Sequence, residues 1–255
     1  LLLISGGGSA LASAPDGVSA GELAELTRAL LASGADIVEI NRVRRRLDRV
    51  KGGHLACAAY PARVVVWLVS DVVGDDPRTV ASGPAHGVSH GPDEALAILD
   101  RYDVAAPAVR ARLRDQASGA AAGPPLASDP RLAGVETRIV ACAADALDAA
   151  GDVLADAGYA VRIVSDAVVG DAREAGRALA RDVERLARDG RGPDGTRLAP
   201  PAALLSGGET TVAVRGRGRG GRNSTFALAF ALALADPCPS GLAVHALVAD
   251  SDGID

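Results

Sequence analysis

Two stretches in the first half of the chain carry residues whose types and spacing could bind an anion. Ser5-Gly6-Gly7-Gly8-Ser9 follows an apolar run directly. Three glycines let backbone N–H groups approach a negative charge without side-chain obstruction, and Ser5 and Ser9 add hydroxyl donors. The plain alternative is a flexible turn. Residues 41–53 read NRVRRRLDRVKGG. On a helix Asn41, Arg44 and Asp48 share one face and Lys51 continues it, so an amide, a guanidinium and an ammonium could surround one carboxylate or phosphate. Gly52-Gly53 would then end the helix. The alternative is a solvated basic face. Lys51 stands out because it is the single lysine among 27 basic residues. A compact ammonium and a planar guanidinium bind differently, so a lysine in an arginine-rich chain marks a position where arginine would not serve.

Acidic residues supply the complementary chemistry. Asp71, Asp75 and Asp76 follow the most apolar run of the chain. Such clustered carboxylates suit a hard divalent cation such as Mg²⁺, or a base for a substrate hydroxyl. Ala81-Ser82-Gly83-Pro84 continues this loop with a hydroxyl and an open backbone. Later, Ser206-Gly207-Gly208-Glu209 lies between two apolar runs, and residues 216–221 read GRGRGG before Arg222-Asn223 opens a helix. Gly218, Gly220 and Gly221, three arginines and a helix N-terminus together form a polyphosphate cradle. No G-x-x-x-x-G-K-[ST] occurs, so a P-loop is excluded. Residues 216–221 also fit G-x-G-x-x-G, with Asp250 in the place of a ribose-binding acid, which keeps a dinucleotide reading open. Asp252, in a second acidic turn, is a further metal candidate. The four histidines show no ligand spacing and read as structural or exposed, and no G-x-S-x-G nucleophile elbow is present.

These stretches need a scaffold. The pattern predicts strands at 1–4, 64–69, 138–142, 159–164, 202–205, 210–215 and 243–249. It predicts helices at 20–32, 41–50, 92–102, 106–116, 145–157, 171–188 and 223–234. Ser19 and Glu22 form a capping box before the first helix, and Gly34 closes it. Strands alternating with helices argue for an α/β fold with a mainly parallel sheet, Rossmann-like, in which ligands gather at the carboxyl ends of strands. A Gly/Pro-rich stretch at 189–201 reads as a domain boundary. It separates an α/β domain over 1–195 from a partial second α/β domain over 196–255.

Bulk properties narrow the function. The chain has 255 residues, 48% of them hydrophobic, and a net charge of −5. That supports a sizeable core and gives no reason to expect nucleic acid or an anionic membrane as partner. Three scattered cysteines form neither a metal knuckle nor a disulfide framework, so the cytoplasm is the expected compartment. No apolar run is long enough to span a bilayer. The chain opens on an apolar run and closes just after another, so both ends read as cuts within a larger fold.

Taken together, LISGGGSAL (3–11), the run 33–53, VSDVVGDDPRTVASGP (69–84), LLSGGETTVAVRGRGRGGRN (204–223) and the closing SDGID resemble the glycerate 2-kinase family whose C-terminal part is called the MOFRL domain. They recur in family order along the whole chain. The resemblance implies ATP- and Mg²⁺-dependent phosphorylation of D-glycerate to 2-phosphoglycerate, in two α/β domains with the active site between them. It leaves a homodimer open. Within it, Ser5, Gly6, Gly7, Gly8 and Ser9, with Asn41 and Arg44 or Lys51, would hold the substrate carboxylate. Asp71 would orient or deprotonate the hydroxyl, with Asp75 or Asp76 as alternates there or at the metal. Ser206–Glu209, Gly218–Gly221 and Asn223 would serve the nucleotide, and Arg222 the charge in transfer. The chain departs from the family pattern at Arg45-Arg46, Ser224-Thr225 and Asp250. A nicotinamide-dependent hydroxypyruvate reductase and a catalytically inactive ligand-binding piece are the alternatives.

Overall fold

A computed structural model describes residues 1–213, 218–234 and 243–250. The chain divides into two compact units, 1–142 and 143–255. The expected boundary near 195 lies within the second unit, in the turn-rich stretch that precedes its last strand.

The first unit opens with β1 (Leu2–Ile4) and a single-turn helix α1 (Gly8–Leu11). Helix α2 (Ala20–Ala32) starts where its capping box predicts: Ser19 Oγ accepts the Glu22 N–H at 3.2 Å and Glu22 Oε2 accepts the Ser19 N–H at 2.7 Å. Helix α3 (Ile37–Arg45) differs from the expected 41–50. It begins earlier because the Asp36 carboxylate caps it, accepting the Glu39 N–H at 2.8 Å. It ends earlier because the Asp48 carboxylate turns back onto the N–H groups of Val50 and Lys51, a local alternative to the helical ladder. Asp48 and Lys51 therefore sit in a turn and not on a helix face.

Short α4 (His54–Ala59), β2 (Val65–Val69), α5 (Pro92–Arg101), α6 (Pro107–Ser118) and β3 (Glu136–Ala141) complete the unit. The three strands form one parallel sheet in the order β1-β2-β3. Two apolar clusters hold the unit together. Leu23, Leu26, Leu30, Ile40, Val43, Leu99 and Leu113 knit α2, α3, α5 and α6. Val66, Leu68, Val80 and Ala85 close over one face of the sheet. The central strand, whose apolar run reads as buried, is covered on one face only: Trp67 and Val69 point to solvent at 43% and 45% exposure.

The second unit contains α7 (Ala143–Asp156), β4 (Ala160–Asp171), α8 (Ala172–Asp189), β5 (Ala202–Thr211) and α9 (Arg222–Ala233). β4 and β5 run parallel to each other. β5 runs through the expected strand at 202–205 and on to Thr211, the start of the expected strand at 210–215, whose residues 214 and 215 lie outside the described residues. Its Ser206–Glu209 segment, expected as a loop, is laddered against Ser165–Val169. Gly208 permits this. Its φ is 146°, and a Cβ there would lie 2.7 Å from the Val168 carbonyl carbon and closer still to its oxygen. Helix α8 approaches α9 closely at Gly176, where a Cβ would meet the Phe226 carbonyl oxygen at 2.5 Å. Residues 243–249 were expected as a strand, but they form no regular element.

Candidate active site

In the first unit the glycine turn sits at the carboxyl end of β1, beside the carboxyl end of β2. Parallel pairing of the two strands sets this register, with Ile4 opposite Leu68. Gly7 takes a left-handed conformation, φ 78°, that lets the chain turn into α1. Gly6 lies against the exposed Asp71 side chain. A Cβ on Gly6 would fall 2.6 Å from Asp71 Cγ and nearer to Oδ2, so only glycine lets this carboxylate rest on the turn.

The other side of the turn is bound to α3 and to the loop that follows β2. Ser9 Oγ is 2.7 Å from Ser82 Oγ, and Ser82 Oγ donates to Asn41 Oδ1 at 3.4 Å. Arg44 donates to Asn41 Oδ1 at 3.2 Å and to the Ser9 carbonyl at 3.0 Å. Its Nε is buried without a hydrogen-bond partner. Burial pulls the Arg44 guanidinium below its ordinary value, and the nearby Asp48 carboxylate offsets this only in part. An Arg donor left unsatisfied next to two hydroxyls and a glycine turn suits a small carboxylate.

Ser82 is fully buried, and sequence reasoning did not place it among the site residues. It belongs to three successive left-handed residues, Ala81 (φ 50°), Ser82 (φ 62°) and Gly83 (φ 61°). Such conformations cost roughly 1–3 kcal/mol each in non-glycine residues and persist where the surroundings impose them. The constraint here is a backbone zipper: Gly52 N–H donates to the Ser82 carbonyl at 3.1 Å and Gly53 N–H to the Gly83 carbonyl at 2.9 Å. The Gly52-Gly53 pair, expected to end a helix, thus holds this loop in place.

The remaining candidates of this unit are dispersed. Lys51 is 1% exposed and its Nζ contacts Asp48 Oδ2 at 2.6 Å and the Ala12 carbonyl at 2.8 Å. Asp76 is occupied by Arg78, whose Nε and Nη2 bond both carboxylate oxygens at 2.8–3.0 Å. Those bonds hold the Asp76 carboxyl below its usual range despite some burial. Asp75 lies in a left-handed turn, φ 51°. Among the described residues no group of three His, Cys, Asp or Glu side chains could hold a metal ion. His90 is buried and its Nε2 lies 3.1 Å from the Arg42 carbonyl oxygen, in keeping with a structural role.

In the second unit, Arg222 opens α9 and reaches two acids. Its Nη1 donates to Glu209 Oε1 at 2.8 Å and its Nη2 to Asp250 Oδ1 at 2.9 Å. Burial opposes the Arg222 charge, but the bonds to Asp250 and Glu209 outweigh it and raise the pKa. Ser224 Oγ accepts the Gly221 N–H at 2.8 Å, which caps the helix. Gly218, Gly220 and Gly221 lead into α9, Asn223 lies in its first turn, and Ser206 and Gly207 lie along β5. Gly216, Arg217 and Asp252 fall outside the described residues.

Residues 1–114 match a family model described as a domain of unknown function (DUF4147), and residues 202–255 match that of the MOFRL family. The second match begins at the first residue of β5. Over 255 residues the chain is 43% identical to an Agrobacterium vitis protein named "Putative hydroxypyruvate reductase", covering 99% of this chain and 55% of that protein. Over 218 residues it is 39% identical to the D-glycerate 2-kinase of Thermotoga maritima, covering 85% of this chain and 48% of the relative. The crystal structure of a glycerate kinase from Thermotoga maritima matches with a TM-score of 0.71 at 38% identity, over 91% of this chain and 53% of that one. The chain belongs to the glycerate 2-kinase family. It spans about half the length of the curated relatives it matches. Parallel sheets flanked by helices, expected from the alternating pattern, are the architecture that this glycerate 2-kinase family member shares with the solved kinase. No helix among the described residues is long and apolar enough to cross a membrane.

Proposed function

We propose that this chain supplies acid-binding and nucleotide-binding parts of an enzyme that transfers the γ-phosphoryl group of ATP to the 2-hydroxyl of D-glycerate. The observation that carries this reading is the glycine turn closed on one side by Asp71 and on the other by Arg44, Ser9 and Ser82. The backbone N–H groups of 5–9 and the Arg44 guanidinium would hold the substrate carboxylate. Asp71, at the edge of the same turn, is then placed to align the neighbouring hydroxyl and take its proton. Alignment of this kind is most of what phosphoryl transfer asks of a protein.

The nucleotide's phosphates would meet the N-terminus of α9 and its glycines, where the helix dipole and backbone N–H groups favour anions. Arg222 would neutralise charge that develops in transfer. In the present arrangement it lies between two carboxylates, so phosphate would have to compete with Glu209 for it. Mg²⁺ usually takes only one or two carboxylates, with substrate phosphates and water completing its octahedron. The donor chemistry of Glu209 and Asp250 fits that sparse requirement, since Asp250 Oδ2 is buried with no hydrogen-bond partner. When bound, the ion would screen the phosphate charge. A cytoplasmic enzyme acting on a small acid agrees with the composition.

A reductase reading is weakened by one contact: Asp250, the candidate ribose-binding acid, accepts hydrogen bonds from Arg222. ADP release with D-glycerate and ATP, assayed beside NADH oxidation with hydroxypyruvate, separates the two activities. ADP formation dependent on glycerate supports the kinase. Hydroxypyruvate-dependent NADH oxidation without it overturns the proposal.

A further inference from the structure

The one lysine of the chain is buried beneath the glycine turn, paired with an acid that is equally buried. Lys51 and Asp48 side chains are 1% and 0% exposed, with Nζ 2.6 Å from Oδ2. Around them the segment after α1 is laced to the turn after α3. Lys51 donates to the Ala12 carbonyl at 2.8 Å, and Asp48 accepts from Ser13 Oγ at 2.5 Å and from the Ala14 N–H at 3.3 Å. Backbone bonds extend the seam: Asp16 N–H to the Leu47 carbonyl and Arg49 N–H to the Ala14 carbonyl, both 2.8 Å. At the near end, Ala12 N–H donates to the Gly8 carbonyl at 2.9 Å, so the seam ends on the glycine turn itself.

A buried ion pair contributes little net stability compared with apolar residues of the same volume. Its better-attested use is to fix one arrangement among several. Five donors from four residues satisfy Asp48; burial opposes its charge, but hydrogen bonds from Lys51, Ser13 and Val50 to the charged form hold its carboxyl below the ordinary carboxylate value. Arginine would bring a wide planar fork where the structure offers one carboxylate oxygen and one carbonyl, which accounts for the lysine here in a chain that otherwise uses arginine.

We infer that Asp48 and Lys51 are positioning residues: a buried strut that sets the height of the Ser5–Ser9 turn through Ala12 and Ser13, without touching substrate. This deepens the kinase reading and rests on it for the identity of the acid. The test compares Asp48→Asn, Lys51→Met, the double variant and the milder Ser13→Ala in the full-length kinase. The strut predicts that KM for D-glycerate rises about tenfold in either single variant, while KM for ATP stays within about twofold. The double variant should be no worse than the worse single one, since both break one device. Hydrogen exchange of this chain provides a readout without turnover: amides of 8–14 should exchange faster in the variants, and those of α2 should not. Ser13→Ala should shift both readouts in the same direction by less. If Lys51→Met abolishes kcat while Asp48→Asn behaves as wild type, Lys51 acts on the reacting atoms and the inference is overturned. Unchanged exchange over 8–14 also overturns it. A wild-type enzyme that does not phosphorylate glycerate, with exchange altered as expected, would instead refute the kinase reading and leave the strut standing.

Discussion

The two units hold their glycine-rich segments with different amounts of core. In the first unit, Leu26, Leu30, Ile40, Val43, Leu47, Val66 and Leu68 are at most 1% exposed, and the site loops hang from them through short hydrogen bonds. In the second, the buried apolar residues among those described are Ala172, Ala180, Leu198, Ala229 and Phe230, and neither β4 nor β5 has a fully buried residue. Apolar burial is the main favourable term in folding. The turn at 5–9 is therefore backed by a buried core, whereas Arg222, one-third exposed, pairs with the half-exposed Glu209 and the largely buried Asp250. Pre-organisation belongs to the first unit, and adaptability to the second.

Four changes probe that difference, taken from the largest effect downward. Arg222→Ala removes the charge at the start of α9 and should lower turnover about a thousandfold in the complete enzyme, roughly 4 kcal/mol of barrier. Steady-state rates at saturating glycerate measure it, and an unchanged kcat would remove Arg222 from the chemistry. Gly6→Val pushes a side chain into Asp71 and should weaken glycerate binding on the order of a hundredfold, about 2.7 kcal/mol, with circular dichroism unaltered. Leu30→Ala should cost about 2.5 kcal/mol in urea denaturation followed by Trp67 emission, which reports on the first unit alone. The solvent-facing Leu228→Ala in α9, at 61% exposure in the native protein, should cost less than about 0.5 kcal/mol in urea denaturation followed by far-ultraviolet circular dichroism. Equal costs would erase the contrast between the units.

Acid gives the smallest and most graded effect. Asp48 and Asp16 have folded-state pKa values below the ordinary 3.8: burial opposes the charge, but hydrogen bonds from Lys51 and Ser13, and from Arg49 and Arg112, outweigh it. For a depressed carboxylate, the stabilisation is complete above the unfolded value and disappears as pH falls through the folded one. Burial also lowers the pKa values of His54, His86 and His90 in this unit, so its stability should begin to fall as pH drops below about 6.5 and should fall further below about pH 4, where the carboxylates protonate. Stability, followed by Trp67 emission in urea, that stays flat from about pH 7 to about pH 2 would mean that neither set of groups is held as described.

Elements whose signals are local could be read from the sequence. The Ser19–Glu22 capping box delimits α2 because both partners lie within one turn. Parallel α/β architecture follows from the alternation of strand-like and helix-like runs. What escaped was set by contacts distant in sequence. α3 stops short because Asp48 answers to Ser13, 35 residues away, and to its own following N–H groups. Ser206–Glu209 looks like a turn, since Gly-Gly usually is one, yet the Val168 carbonyl approaching Gly208 makes it a strand. Ser82 was legible only as a hydroxyl in the loop after β2: its buried, left-handed place is recognisable once Gly52 and Gly53 are seen holding it. Asp71 and Gly6 were each legible as candidates, but their mutual contact was not.

The central claim is that the turn at 5–9 is where the acid binds, and it can be tested residue by residue. Amide chemical shifts recorded while D-glycerate is titrated into this chain should move at Gly6–Ser9, Asn41–Arg44 and Asp71, and stay still along β4 and α9. Shifts confined to residues 143–250, or none at millimolar glycerate, would contradict the account.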